Sequence, residues 1–116
     1  DFSNAYYLKY ADYYVKKGLT KRPICKGSVV HGVKLKPHLG YYNVQIGAYK
    51  KLLSVLCDHY DITIDTPRTK SGGLYTGVVK EAASGKYNGV VCHYHLTRGK
   101  IDCAGLKLDE IVDELS

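Results

Sequence analysis

A chain of 116 residues has the length of one domain, and its 45% apolar and 24% charged residues exclude a disordered or low-complexity protein. Lys and Arg outnumber Asp and Glu 17 to 11, and this net charge of +6 favours polyanionic partners such as nucleic acid, anionic lipid or an acidic cell-wall polymer. No apolar run approaches the roughly 20 residues of a membrane span, so we expect no membrane-spanning segment.

The first predicted element is a helix over residues 3–17, in which Leu8, Ala11 and Val15 recur at helical spacing before Gly18. Five tyrosines lie in this segment: Tyr6, Tyr7, Tyr10, Tyr13 and Tyr14. We interpret them as packing residues, with an aromatic surface that stacks on sugars or on a partner as the alternative.

The middle of the chain alternates between strand and helix patterns. A strand is predicted over 28–35, a loop marked by Pro and Gly over 36–43, and a helix over 48–58, with Ala48, Leu52, Val55 and Leu56 on one apolar face. A short strand over 62–65 and a short helix over 75–83 follow. This alternation indicates the α/β class.

The last third of the chain is dense in reactive side chains. Residues 89–92 form a β-branched apolar run, which predicts a strand covered on both faces and ending at His93. A polar loop over 94–105 and an amphipathic helix over 108–115 complete the chain. Catalytic loops tend to follow the C-terminal ends of sheet strands, which is where this loop is expected.

Four cysteines occur, at Cys25, Cys57, Cys92 and Cys103. No Cys-x-x-Cys pair is present, which excludes a structural zinc ribbon, and three pairings are open if all four are bridged. Cys57 and Cys92 lie in apolar patterns and are predicted to be buried free thiols.

The polar loop offers a candidate metal site. Imidazole and carboxylate are standard zinc ligands, so His93 and Asp102 could approach one ion from two sides. Lys100 would then lie near the zinc-bound water and stabilise the negative charge on an attacked carbonyl oxygen. Each of these residues taken alone is typical of an ordinary solvated surface.

The motif from His93 to Lys100-Ile101-Asp102-Cys103-Ala104-Gly105 resembles the end of the zinc-dependent N-acetylmuramoyl-L-alanine amidases, which share the peptidoglycan-recognition protein fold. That family has a late His ligand, then Lys, one residue, and an Asp or Cys ligand, commonly followed by Pro-Gly. The stretch from His38 to Gly47 is similar to the family's His-x-Gly…Asn…Ser-Ile-Gly motif. The resemblance covers 38–116, and the predicted N-terminal helix and strand of 1–37 lie outside it.

The resemblance implies one amidase-like domain over 1–116, with a central mixed sheet flanked by helices. It implies a hydrolase that cleaves the amide bond between N-acetylmuramic acid and L-alanine in peptidoglycan, as in cell-wall degradation by an endolysin. Zn²⁺ would be bound by His93 and Asp102, Lys100 would be catalytic, and His38 and Asn43 would bind substrate. Such an enzyme would be secreted, periplasmic or delivered to the wall by a phage.

The chain departs from the family at the metal ligands. The family's first zinc-binding His lies well upstream of the His-x-Gly motif, whereas here the only earlier histidine is His31, seven positions before His38. Either His31 serves in an architecture shortened at the N-terminus, or the ligand comes from a missing N-terminal segment or a second chain. Cys103 stands where the family has Pro, so it is an alternative to Asp102 as ligand.

Two other functions remain open. A peptidoglycan-recognition-like module that binds muramyl peptide without cutting it would need only the loss of one zinc ligand. A basic nucleic-acid-binding protein is the third hypothesis, since tyrosines interleaved with lysines can stack on bases. We favour it least because the tyrosines follow helical core patterns.

Overall fold

The computed structural model describes residues 23–116, and the helix predicted over 3–17 lies outside the described residues. The strands are β1 (Ile24–Cys25), β2 (Val29–Val30), β3 (Val33–Lys34) and β4 (His38–Leu39). The helices are α1 (Asn43–His59), α2 (Lys80–Ala83) and α3 (Leu108–Leu115), with a 3₁₀ turn at His93–His95 between the last two. A small domain that mixes helices and strands, roughly α/β, is therefore confirmed.

The strands form two antiparallel pairs, β1 with β4 and β2 with β3. The single strand predicted over 28–35 is wrong, because the chain reverses at His31 and Gly32. Both residues have positive φ, 54° and 77°, as a two-residue hairpin turn of the type I′ class requires. The hairpin projects His31 from its tip.

The strands predicted over 62–65 and 89–92 do not form, and neither does a central mixed sheet, anywhere in residues 23–116. The two segments touch through one backbone hydrogen bond, from Val90 N–H to the Asp65 carbonyl at 2.8 Å. A ladder ends there because the Cys92 N–H donates to the imidazole Nδ1 of His95, at 2.9 Å. A side chain has replaced the neighbouring strand as the hydrogen-bond partner.

Helix α1 begins five residues before the predicted start at residue 48. The Gln45 side chain accepts a hydrogen bond from the Tyr42 N–H at 2.8 Å and so satisfies a donor at the helix start. The predicted apolar face is exposed: Leu52 and Val55 keep 57% and 64% of their surface. The helix turns Leu53 and Cys57 to the core instead.

The core lies between α1, α3 and the segment that precedes the 3₁₀ turn. The predicted helix 108–115 is confirmed, and it buries Leu108, Ile111 and Val112. Arg68 fixes the segment before α2 to this helix, with Nη2 donating to Asp113 Oδ1 at 2.7 Å. Within 23–116, no helix has the length and apolar character needed to cross a membrane.

Candidate metal-binding and catalytic site

The chemically dense segment folds back on itself. We call residues 93–105 the site loop. The backbone N–H of Tyr94 donates to the Asp102 carbonyl at 3.1 Å, which closes the loop at its base. Residues nine positions apart in the sequence are thereby brought side by side, while Arg98 and Gly99 lie exposed at the tip.

His93 and Asp102 meet at this base. His93 Nδ1 lies 3.2 Å from Asp102 Oδ2, and the two side chains are 43% and 61% exposed. Two donor atoms bound to one zinc at 2.0–2.2 Å in a tetrahedron stand roughly 3–4 Å apart, so the separation of these two atoms fits a shared ion. Their exposure leaves them open to solvent and to a ligand.

When no metal is bound, the contact between His93 and Asp102 is a hydrogen bond. A carboxylate only accepts hydrogen bonds, so the imidazole donates from Nδ1 and leaves Nε2 as an acceptor. Asp102 then orients the His93 ring, as carboxylates orient metal-binding and general-base histidines. The pair can therefore accept a proton at Nε2 or coordinate a cation.

His31 approaches the same loop from the β2–β3 hairpin. Its Nε2 lies 3.1 Å from the backbone carbonyl oxygen of Lys100. A carbonyl only accepts, so Nε2 carries the proton and donates. His31 thus contacts the residue predicted to be catalytic rather than the His93–Asp102 pair, and it fixes the backbone from which the Lys100 side chain extends.

Residues 23–116 do not gather a third ligand. Within residues 23–116, no three His, Cys, Asp or Glu side chains come close enough to hold one metal ion. Neither His31 nor Cys103 therefore completes a set of three with His93 and Asp102. Cys103 is half-buried against the core, whereas Asp102 is exposed.

The two predicted substrate-binding residues lie apart from the pair. His38 is in β4, and its Nε2 lies 3.0 Å from the Ser28 hydroxyl. Asn43 is the first residue of α1 and lines a groove of about 740 Å³ together with Gly105 and other residues. None of His93, Lys100 and Asp102 lines this groove.

The end of the site loop packs tightly against the β1–β4 sheet at Gly105. Its φ is +84°, and an added Cβ would lie 2.7 Å from His38 Cε1 and 2.9 Å from Cys25 Sγ. A side chain here would meet both backbone strain and a steric clash. Glycine therefore allows the loop to return to the sheet.

We expect Gly105→Ala to destabilise the fold by about 2–4 kcal/mol, of which roughly 1 kcal/mol is backbone strain and the rest the clash. Gly85→Ala is the matched control, because Gly85 has a φ of +77° with nothing within 4 Å of its added Cβ. Urea unfolding measures both variants. Equal losses would show that the contact with His38 and Cys25 contributes nothing.

His95 was not singled out from the sequence, and it is fully buried with 0% exposure. Its Nδ1 accepts from the Cys92 N–H, and its Nε2 donates to the Tyr75 carbonyl oxygen at 2.6 Å. Burial lowers the pKa of His95, so the ring is neutral. The His-x-His spacing was the available signal: on a strand both rings would share a face, whereas the 3₁₀ turn directs His93 outward and His95 inward.

Replacing His95 with Phe keeps an aromatic ring but leaves the Cys92 N–H and the Tyr75 carbonyl without partners. We expect a loss of about 2–4 kcal/mol in the free energy of unfolding, the cost of two unsatisfied buried groups. The control is His59→Phe at an exposed position of α1, expected to change stability by less than about 0.5 kcal/mol. Similar unfolding curves for both variants would contradict the structural role of His95.

Comparison of the chain with protein-family models, with curated proteins and with solved structures finds no match.

Proposed function

We propose that the chain is a zinc-dependent hydrolase of the N-acetylmuramoyl-L-alanine amide bond in peptidoglycan. The observation that carries the proposal is the contact between His93 and Asp102, at 3.2 Å. They are the two residues that the amidase-like motif assigns to the metal. Lys100 lies in the same loop, as the motif requires.

His93 and Asp102 would hold Zn²⁺, which when bound supplies an activated water and polarises the scissile carbonyl. The Lys100 ammonium provides a positive charge for the oxygen that becomes negative as the amide is attacked. His31 acts as a positioning residue, because its hydrogen bond to the Lys100 carbonyl restrains the backbone that carries this charge. The third metal ligand comes from outside residues 23–116 or from a second chain.

The charge of the chain is consistent with this substrate. A net charge of +6 favours association with an anionic wall polymer. Arg98 and Lys100 are exposed in the same loop as the His93–Asp102 pair, so the loop offers positive charge to an anionic ligand. Such an enzyme would act at the cell wall as a secreted, periplasmic or phage-delivered protein.

A non-catalytic peptidoglycan-binding module is the second candidate, and a specific observation favours it. Only two of the three protein ligands of a catalytic zinc come together within 23–116. A domain that has only two zinc ligands would bind muramyl peptide through the same basic loop without cutting it.

Elemental analysis combined with co-sedimentation distinguishes the two candidates. The purified full chain is dialysed against a metal-free buffer containing a small amount of Zn²⁺, and the zinc content per chain is measured. Binding to insoluble peptidoglycan is then followed by centrifugation. We expect roughly one zinc per chain together with co-sedimentation. Peptidoglycan binding without zinc would support the recognition module. A chain that binds neither zinc nor peptidoglycan would contradict both candidates.

A further inference from the structure

Two cysteines lie next to the base of the site loop, one on each arm. Cys92 immediately precedes it and is buried at 5% exposure, while Cys103 is half-buried against the same core. The hydrogen bond between Tyr94 N–H and the Asp102 carbonyl, at 3.1 Å, holds the two arms together just inside this pair. The two residues are therefore close in space although the loop separates them in sequence.

Cys103 belongs to the surroundings of the Cys92 sulfur. The thiol and backbone of Cys103 and the Tyr94 hydroxyl are among the groups that shift the pKa of the Cys92 thiol, and a group does so only as a near neighbour. Both cysteines are free thiols in the structure. Two thiols that share a core, on backbone arms joined by a hydrogen bond, are placed to form a disulfide bond.

The surroundings distinguish the two thiols. Burial raises the pKa of Cys92, so this thiol is protonated at neutral pH and a poor initial nucleophile. Burial and the hydrogen bond to Cys92 also raise the pKa of Tyr94, whose hydroxyl therefore remains a donor. Cys103 is the more accessible of the two, and it meets a dissolved oxidant first.

We propose that Cys92 and Cys103 are a redox-active pair that closes to an intramolecular disulfide across the base of the site loop. The oxidant is a small-molecule disulfide. The Cys103 thiolate attacks one of its sulfurs and releases a thiol, which leaves a mixed disulfide on Cys103. Cys92 then loses its proton and attacks the Cys103 sulfur, which releases the second thiol.

The exchange balances, because the two protein thiols lose two protons and two electrons, and the small disulfide gains them as two thiols. The new bond would tie together the arms that carry His93 and Asp102. Disulfide formation is independent of the proposed hydrolysis, since it needs only the two sulfurs and not the metal.

The other two cysteines lie on elements outside the site loop. Cys25 lies in β1, with its sulfur against Gly40 and Gly105. Cys57 is buried in α1, on the face that packs against the core. Neither is among the groups that shift the pKa of the Cys92 thiol.

Trypsin mapping tests the pair directly, because Arg98 and Lys100 both lie between the two cysteines. The full chain is equilibrated with oxidised and reduced glutathione, free thiols are alkylated, and the protein is digested without reduction. We expect peptide 87–98 linked to peptide 101–107, with an intact mass lower by two hydrogens. Glutathione retained on Cys103, a bridge that includes Cys25 or Cys57, or no linked peptide would each overturn the proposal.

Thermal unfolding provides a second readout. Closing a loop of this size restricts the unfolded chain, so oxidation should raise the Tm by on the order of 10 °C. Cys103→Ser should abolish the shift, and Cys25→Ser should retain it. An equal shift in Cys103→Ser would assign the effect to another thiol and contradict the pair.

Discussion

His93→Ala is expected to weaken zinc binding by roughly 10²–10³-fold. The binding free energy of a four-ligand zinc site is about 10–16 kcal/mol, so one ligand contributes about 3–4 kcal/mol. The loss should be large because Asp102 alone then remains of the pair. Competition with a chromogenic chelator measures the affinity, and hydrolysis of peptidoglycan should fall with it.

His59→Ala is the matched control for His93. His59 is an exposed histidine at the end of α1, outside the site loop. The His59→Ala variant should bind zinc as tightly as the unchanged chain. Equal zinc affinity in His93→Ala and in the unchanged chain would remove His93 from the metal site and, with it, the basis of the amidase proposal.

Lys100→Ala is expected to lower turnover by on the order of 10²-fold with little change in KM. The positive charge matters only as the oxyanion forms, so it stabilises the transition state more than the bound substrate. Release of new amino termini from purified peptidoglycan, followed at several substrate concentrations, separates kcat from KM.

Arg98→Ala serves as the control, because it removes a positive charge from the same exposed loop two positions away. A loss confined to KM is expected there, since a general charge near the site affects association. If the two variants behave alike, Lys100 acts through the net charge of the loop and has no separate role in the chemistry.

The sequence predicted the elements whose signal is local. The spacing of Leu108, Ile111 and Val112 predicted α3 because one amphipathic helix can bury these side chains against a core. The proximity of His93 and Asp102 was expected from the motif, and the structure brings the two side chains together. Burial of Cys57 and Cys92 was likewise predicted from their apolar neighbours and is confirmed.

The features that the sequence did not predict depend on tertiary packing and on side chains that compete for backbone hydrogen bonds. The 89–92 run has strand propensity, yet the His95 imidazole takes the Cys92 N–H and no neighbouring strand pairs with it. His31-Gly32 was an available turn signal, although a hairpin is less expected when His rather than Asn precedes the Gly. For α1, the sequence has apolar residues on two faces, and periodicity alone could not decide which one is buried.

The placement of His31 has a similar explanation. Its strand-end position suggested a metal ligand beside His93, whereas the hairpin turn directs its ring to the Lys100 carbonyl. Which atoms a tip residue meets depends on the tertiary packing of the hairpin, and no local pattern reports that.

Identifying the bond that the chain cuts tests the proposed amidase activity most directly. Purified peptidoglycan is incubated with the full chain and Zn²⁺, and newly exposed amino groups are labelled, hydrolysed and identified. We expect new amino-terminal L-alanine in a reaction that a zinc chelator stops, with no release of reducing sugar. Binding to the wall without any new amino-terminal L-alanine would contradict the proposed amidase activity.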